Sequence, residues 1–427
     1  MNQSIEKKIV AYRRHFHAHP ESGWLEYATA AFIADELSSL GFEVKRGNEV
    51  MNDSGLMGLP SEQENRKAFD KAERIYGYEK MKPFANNCTA VAGILDCGEG
   101  PTVAIRVDMD ALPISEAEDE GHLPNNKGFV SVNSGIMHSC GHDAHSAVGL
   151  GVAHYITRYS EHIKGKVILL FQPAEEGVRG AAAIVKSGFL KGVDYLFAAH
   201  LWSIMPLGKM VCSQNGTVAT DKLDVTFIGK SAHAGICPEK GNNAVLAAAN
   251  CIVGLHDINL EGEGLAHANV GRITGGTARN IIADQARLEM EFRANNLERE
   301  TLFLKKTREI IQDAAHQQNC SFKVQKMGEA TGAHGDTDLA ERIKCEAEKV
   351  DLFTDIVLSD EVNRGSEDFT SMMNAVQNNG GKACFIGIGA SLKETDLQHH
   401  TSEFDIDERA MLPTVELFFN LIKSLLS

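Results

Sequence analysis

The chain has 427 residues, 43% of them hydrophobic and 23% charged, the balance of a soluble globular protein too long for one ordinary core. Its 42 basic and 58 acidic side chains leave a formal net charge of −16, which argues against a nucleic-acid partner, since such proteins carry a basic face. No 18-residue apolar run suggests a membrane span, the polar start 1–14 lacks a signal-peptide core, and nine scattered cysteines without a CxxC pair argue against a disulfide framework, so a cytoplasmic location is expected.

In chain order, 5–19 reads as a helix, with Ile9, Tyr12 and Phe16 at helical spacing and Pro20 as the stop. A second helix is expected over 29–40, ended by Gly41. Residues 51–87 are polar, rich in Glu and Lys, with a helical pattern at 61–76. They are expected to form an insertion at the surface or at a partner interface. Strands follow at 89–95 and 102–107, then a helix from Asp143 to about 159. The continuous apolar runs 167–171 and 195–199 read as strands buried on both faces. A short helix falls between them near 181–186. Alternating strands and helices imply an α/β unit, in which ligands bind at the carboxyl ends of strands.

From about Gly216 the pattern changes. Leu223, Val225 and Phe227 alternate as a strand, 243–255 is an Ala-rich helix, 268–273 is a strand, and Leu288, Met290 and Phe292 alternate as another. A long helix over 298–317 and a strand over 321–326 complete a β-α-β-β-α-β order, that of a ferredoxin-like sandwich. The expected organisation is therefore 1–215 plus 331–427 as one α/β domain, with 216–330 inserted as an α+β domain. Helices near 338–349, 368–376 and 408–426 and a buried strand at 383–388 finish the first domain.

The groups that can carry chemistry sit beside these elements. Cys140 and His142 are two residues apart, too close to share a helix face, and fit a turn before a helix. A helix N-terminus there favours thiolate. Three readings of Cys140 stand at this level: a buried inert thiol, a nucleophile with a His partner, and a metal ligand. Glu175 and Glu176 follow an apolar strand, and in extended backbone their side chains diverge, so one can bind metal while the other faces a water. His200 closes a second apolar strand, and His399-His400 stands in a loop near the end. In the inserted domain His233 follows a strand, and Asn280 and Arg293 could hold an anionic group.

Taken together, Arg106-Val-Asp-Met-Asp-Ala-Leu-Pro, Met137-His-Ser-Cys-Gly-His-Asp, Gln172-Pro-Ala-Glu-Glu, Ala199-His-Leu, Gly229-Lys-Ser-Ala-His-Ala, Gly275-Gly-Thr-Ala-Arg-Asn, Gly365-Ser-Glu-Asp-Phe and His400-Thr-Ser-Glu-Phe resemble peptidase family M20 metallohydrolases, over nearly the whole chain. The resemblance is to the branch of bacterial N-acyl-amino-acid and auxin-conjugate amidohydrolases. It implies that 1–215 plus 331–427 is a catalytic, mixed-sheet metallopeptidase domain, that the inserted 216–330 is a lid and dimerisation domain, and that two divalent ions per chain, Mn or Zn, are held by Cys140, His142, Glu176, His200 and His400, with His400 preferred to His399 by its distance from Phe404. It implies Glu175 as general base and later acid, and His233 reaching a neighbouring protomer's site to stabilise the oxyanion. Asn280 and Arg293 would hold the substrate carboxylate, and Asp110 would orient a ligand histidine. The expected reaction is cleavage of an N-acyl amino acid, p-aminobenzoyl-glutamate foremost, by a homodimer or a heterodimer with a related chain. A broader acyl-amino-acid hydrolase, a non-catalytic metal-stabilised partner protein, and a cysteine hydrolase using Cys140 are the alternatives.

Overall fold

The computed structural model describes the chain apart from residues 1, 160, 162, 259–265, 296, 363–364 and 393–396. Its helices are α1 (Asn2–Ala18), α2 (Tyr27–Ser39), α3 (Glu62–Tyr76), α4 (Tyr78–Met81), α5 (Leu123–Lys127), α6 (His142–Tyr159), α7 (Ala181–Ser187), α8 (Ala244–His256), α9 (Leu297–Gln317), α10 (Thr337–Ala347), α11 (Phe369–Asn378) and α12 (Met411–Leu426). Its strands are β1 (Glu43–Arg46), β2 (Val91–Asp96), β3 (Thr102–Asp108), β4 (Lys166–Gln172), β5 (Tyr195–Trp202), β6 (Lys209–Val211), β7 (Ala219–Ile228), β8 (Ala266–Gly275), β9 (Gln285–Ala294), β10 (Ser321–Ala330), β11 (Asp355–Val357) and β12 (Lys382–Gly389).

The chain divides into two compact units. The first comprises Met1–Gly216, Ala333–Val362 and Asp368–Ser427; the second is Thr217–Gly332 with a short piece of the returning chain.

The first unit is built on an eight-stranded mixed sheet, ordered β1-β2-β4-β3-β5-β12-β6-β11. The four central strands, β4, β3, β5 and β12, are mutually parallel, so their carboxyl ends emerge on one edge. Both faces of these strands are covered, which is why they read as unbroken apolar runs. Phe171 and Phe197 are fully buried in one core cluster, Leu170 and Leu196 in another. Each such side chain contributes about 1.5–3 kcal/mol through burial. Helix α6 is buried from His142 to Val152 without a solvent stripe, because α1, α12 and β3 pack around it.

The 51–87 segment differs from its expected surface character. Ser61 caps α3, its side chain accepting from Glu64 N while the Glu64 carboxylate accepts in return, so this helix is specified locally. Yet Met51, Met81 and Phe84 are all at most 1% exposed. A few apolar anchors, widely spaced among charged residues, fix the segment onto the unit.

The second unit is a four-stranded antiparallel sheet, ordered β10-β7-β9-β8, with α8 and α9 packed on it around Val225, Phe227, Leu288 and Ala248. This is the β-α-β-β-α-β sandwich that the alternation predicts.

Candidate active site

The sheet of the first unit delivers polar residues to one edge. Asp108 ends β3 and Asp110 follows; Glu175 and Glu176 follow β4; His200 lies near the end of β5; His399 and His400 lie beyond β12. Cys140 and His142 come from the N-terminus of α6, joined by Gly141, whose φ of +89° places it in the left-handed region. The His400 backbone N–H donates to Ser139 O at 2.8 Å and fastens the last loop to this turn.

These residues interlock as donor sets. The Cys140 Sγ lies 3.6 Å from His200 Nε2 and 3.6 Å from His399 Nδ1. Cys140, Glu176 and His400 form a second group and His142, Glu175 and Glu176 a third, in each of which the potential ligand atoms lie within 4.8 Å of one another. His142 Nε2 is 3.8 Å from Glu175 Oε2, and His400 Nε2 is 3.4 Å from Glu176 Oε1. Glu176 Oε1 is nevertheless buried without a hydrogen bond among the described residues. A carboxylate oxygen in that setting is costly unless a cation takes it. Sulfur, imidazole nitrogen and carboxylate oxygen aimed at common points fit divalent metal ions.

Tautomers follow from the hydrogen bonds. His142 Nδ1 faces Asp110 O at 3.0 Å and Asp110 Oδ1 at 3.2 Å, so it carries the hydrogen and Nε2 is the atom free to face the donor group. His145 Nε2 accepts from Leu201 N at 2.9 Å while its Nδ1 donates to Asp108 Oδ1 at 2.7 Å, which leaves no lone pair for a metal. His399 Nε2 accepts from Ser203 N at 3.2 Å, so its Nδ1 turns a hydrogen toward Cys140. His400 Nε2, beside Glu176, has no such commitment, which favours it over His399 as a ligand.

The electrostatics agree with a site made for positive charge. Burial, then Glu176, pushes the Cys140 thiol well above its usual range. Burial, then His145 and His399, holds His200 well below the imidazole value. Burial opposes charge on His142, but Asp108 and Cys140 carry its pKa well above the ordinary value. Bound metal would substitute for these protons, since thiolate and neutral imidazole are the ligand forms.

Behind this layer lie groups that spacing alone did not reveal. Asp110 does more than orient His142: its two oxygens also accept from the Glu175 and Glu176 backbone N–H groups, at 3.1 and 2.9 Å. Arg106 donates to Gln172 at 2.8 Å and to Asp108 at 2.7 Å, and approaches Asp368 at 3.3 Å. Glu26, fully buried, accepts from Ala174 N at 2.8 Å, and burial together with Asp110 pushes its pKa up to about 8. His138 is buried with neither ring nitrogen hydrogen-bonded among the described residues, and burial lowers its pKa to about 4.

In the second unit, His233 is exposed and its Nδ1 accepts from Gly235 N at 3.1 Å, so Nε2 presents a hydrogen to solvent. Asn280 lies against the same loop, its carbonyl accepting from Ala234 N at 3.0 Å. Arg293 does not join them. It sits near the far end of β9, opposite Thr220, and its fork is directed at Glu291, with Nε 3.2 Å from the carboxylate. Eight residues of strand separate Arg293 from Gln285, roughly 27 Å at the usual rise. The expectation that Asn280 and Arg293 of one chain hold one carboxylate is corrected: a small substrate cannot reach both.

A mixed α/β sheet that gathers thiol, imidazole and carboxylate donors beside a further Glu defines a metal-dependent hydrolase of amide bonds. The comparisons with known proteins agree. Residues 104–424 match the model of Peptidase family M20/M25/M40. The chain is 38% identical over 416 residues to one of the subunits of p-aminobenzoyl-glutamate hydrolase of Escherichia coli, covering 97% of this chain and 94% of that one. It is also 38% identical over 411 residues to indole-3-acetyl-aspartic acid hydrolase of Enterobacter agglomerans, covering 96% and 94%. The crystal structure of an aminobenzoyl-glutamate utilization protein from Klebsiella pneumoniae superposes with a TM-score of 0.86 at 33% identity, covering 99% of this chain and 97% of that one. The chain belongs to peptidase family M20/M25/M40.

Proposed function

We propose that this chain hydrolyses the amide bond of an N-acyl amino acid, with p-aminobenzoyl-glutamate cleaved to p-aminobenzoate and glutamate as the leading case. One observation carries the reading: Cys140 is common to two donor groups, with Glu175 at their edge and the Glu176 oxygen left for a cation. Two relatives whose names specify acyl-amino-acid cleavage support the substrate class.

Cys140, His142, Glu176, His200 and His400 would hold two divalent ions, Mn or Zn. Bound there, such ions supply a water acidified toward neutral pH and an electrophile for the substrate carbonyl. Glu175 takes the proton of the attacking water and returns it to the departing nitrogen, so that the amine leaves neutral. The exposed Nε2–H of His233 donates to the oxygen on which negative charge develops. His233 and Arg293 lie at opposite ends of β9. Arg293 would help hold the amino-acid carboxylate, and His233, with Asn280 beside it, would reach a partner's site. The partner is a second copy or a related chain; that the Escherichia coli relative is named as one subunit of its hydrolase supports an assembly of this kind. The 216–330 insertion is thereby a lid and dimerisation domain, and the compartment is the cytoplasm.

The test is a hydrolysis screen of N-acyl amino acids, p-aminobenzoyl-glutamate included, with metal content measured on the same sample. Glu175→Gln is expected to keep its metal and lose turnover; metal retention with near-normal activity sinks the reading. Mixing Glu175→Gln with His233→Ala is expected to restore activity that neither has alone, since only mixed dimers contain one complete site. Metal-replete wild type that cleaves no acyl-amino acid, yet stimulates a related chain, would favour a non-catalytic role instead.

A further inference from the structure

The turn that carries Glu175 and Glu176 is strained. Ala174 (φ +51°) and Val178 (φ +57°) stand in the left-handed region, and a β-branched residue is rarely found there. Such strain persists only where the surroundings over-determine it. On one side three carboxylates grip backbone N–H groups. Glu26 accepts from Ala174 N, Asp110 from Glu175 N and Glu176 N, and Asp368 from Gly180 N and Ala181 N at 3.0 and 2.9 Å.

The carbonyls of this turn need donors: Val178 N donates to Glu175 O at 2.7 Å and Arg179 N to Ala174 O at 3.2 Å, and the Glu176 carbonyl is served by the Arg179 side chain. Its Nε donates to Glu176 O at 2.8 Å, and its Nη1 donates to Gly58 O at 2.9 Å. Gly58 belongs to the 51–87 segment, and this part of the segment is fixed independently. Met57 O accepts from the fully buried Trp24 Nε1 at 2.7 Å, and Asn52 N donates to Ala183 O at 2.9 Å. The guanidinium fork is rigid and planar, so it spaces the two carbonyls, whereas a lysine ammonium would meet them as a mobile point charge.

We propose that Arg179 is a positioning residue and that the 51–87 segment braces the Glu175–Glu176 turn from outside, setting how both carboxylates are presented. The inference rests on the reading of those glutamates as site residues. It gives the segment a role in the chemistry of its own chain, in place of the partner interface that its polar composition suggests.

The experiment compares wild type with Arg179→Met, Arg179→Lys and Trp24→Phe, measuring kcat, KM, metal affinity by chelator competition, and Tm. Arg179→Met is expected to lower kcat or metal affinity about 10- to 100-fold, the usual cost of losing a group that orients a ligand, with KM little changed. Arg179→Lys is expected to recover part of the loss. Trp24→Phe removes the hydrogen bond to Met57 O while leaving the residues of the turn unchanged, and is expected to shift the same quantities in the same direction by less. The proposal is overturned if Arg179→Met raises KM alone, which would make Arg179 a substrate contact. It is also overturned if the Arg179 variants lower Tm while kcat and metal affinity stay at wild-type values. A wild type that binds no divalent ion defeats the functional reading itself; ion affinities equal in wild type and variants, with kcat unchanged, defeat only the brace.

Discussion

Two buried polar clusters lie in the first unit, both built on histidines and acidic side chains, and they differ in what they leave unpaired. Around Arg13, positive and negative groups alternate. Arg13 meets Asp143 at 2.9 Å, Glu408 at 3.2 Å, and Asp405. His17 sits between carboxylates, Nδ1 on Asp143 and Nε2 on Glu116, both at 2.8 Å, and His122 also reaches Glu116 at 2.8 Å. The His17, Glu116 and His122 donor atoms are close enough to suggest a metal site, but both His17 nitrogens already face carboxylates and the ring has no lone pair to give. Among the described residues of this cluster, Asp143 Oδ1 and Asp405 Oδ2 are left over, on carboxylates whose other oxygens are engaged. Around Cys140, by contrast, sulfur, imidazole nitrogen and carboxylate oxygen face one another with acceptors turned inward. The histidines and acids common to both do not by themselves separate a structural charge network from a metal site; the direction of the lone pairs does.

The contrast can be broken from either side. Cys140→Ala removes the atom common to two donor groups, and is expected to abolish hydrolysis and metal loading while the Arg13 network keeps the protein folded; metal analysis with circular dichroism checks both. Arg13→Met removes the cation shared by three carboxylates, leaving Asp143 to His17 and Glu408 to Arg14, and is expected to cost about 3–5 kcal/mol in urea unfolding, with metal affinity retained in the folded fraction. Chelation is expected to lower wild-type stability by about 2.7 kcal/mol for each bound ion relative to a free-ion concentration of about 100 Kd, and to leave Cys140→Ala unchanged.

A smaller effect is expected from His17→Gln, and it depends on pH. The carboxylates raise His17 above the ordinary imidazole value of 6.5 against the opposing effect of burial, so its stabilisation is complete below that value and fades as pH rises through the folded pKa. Glu116 is burdened by burial but carried down to about 2 by His122 and His17, so its stabilisation is present above the ordinary value of 4.5 and is lost as pH falls toward 2. The stability gap between wild type and variant should therefore be widest between these two ordinary values and narrow above them; a gap that grew with pH would contradict a charged His17. Smallest of all, His399→Ala is expected to weaken metal binding less than His400→Ala, a difference that chelator competition resolves.

Much of the fold was legible because the central parallel strands are buried on both faces. The run Val167 to Phe171 predicts β4 almost to the residue, and Ala383 to Ile388 predicts β12. Strands β1, β6 and β11 leave no such trace, because three or four residues, partly charged, carry no period; their pairing comes from the neighbouring strands. In the site, the strand-end residues were visible as polar groups closing apolar runs. Asp108, His145, Glu26 and Asp368 were not, since their roles are to hold other groups and follow only from tertiary hydrogen bonds. Arg179 lies three residues beyond Glu176 on the same turn, but its partner Gly58 is 121 residues away, and no local pattern joins them. The separation of Asn280 from Arg293 was likewise hidden: thirteen residues of sequence look close until one strand is laid out straight.

Cobalt substitution tests the shared Cys140 most directly. Metal-stripped protein titrated with Co²⁺ should take up two ions per chain, develop a thiolate-to-cobalt charge-transfer band, and regain acyl-amino-acid hydrolysis over the same range, with Cys140→Ala giving neither band nor activity. Full hydrolysis by the stripped protein, or two bound ions without a thiolate band, would contradict a metal centre built on Cys140.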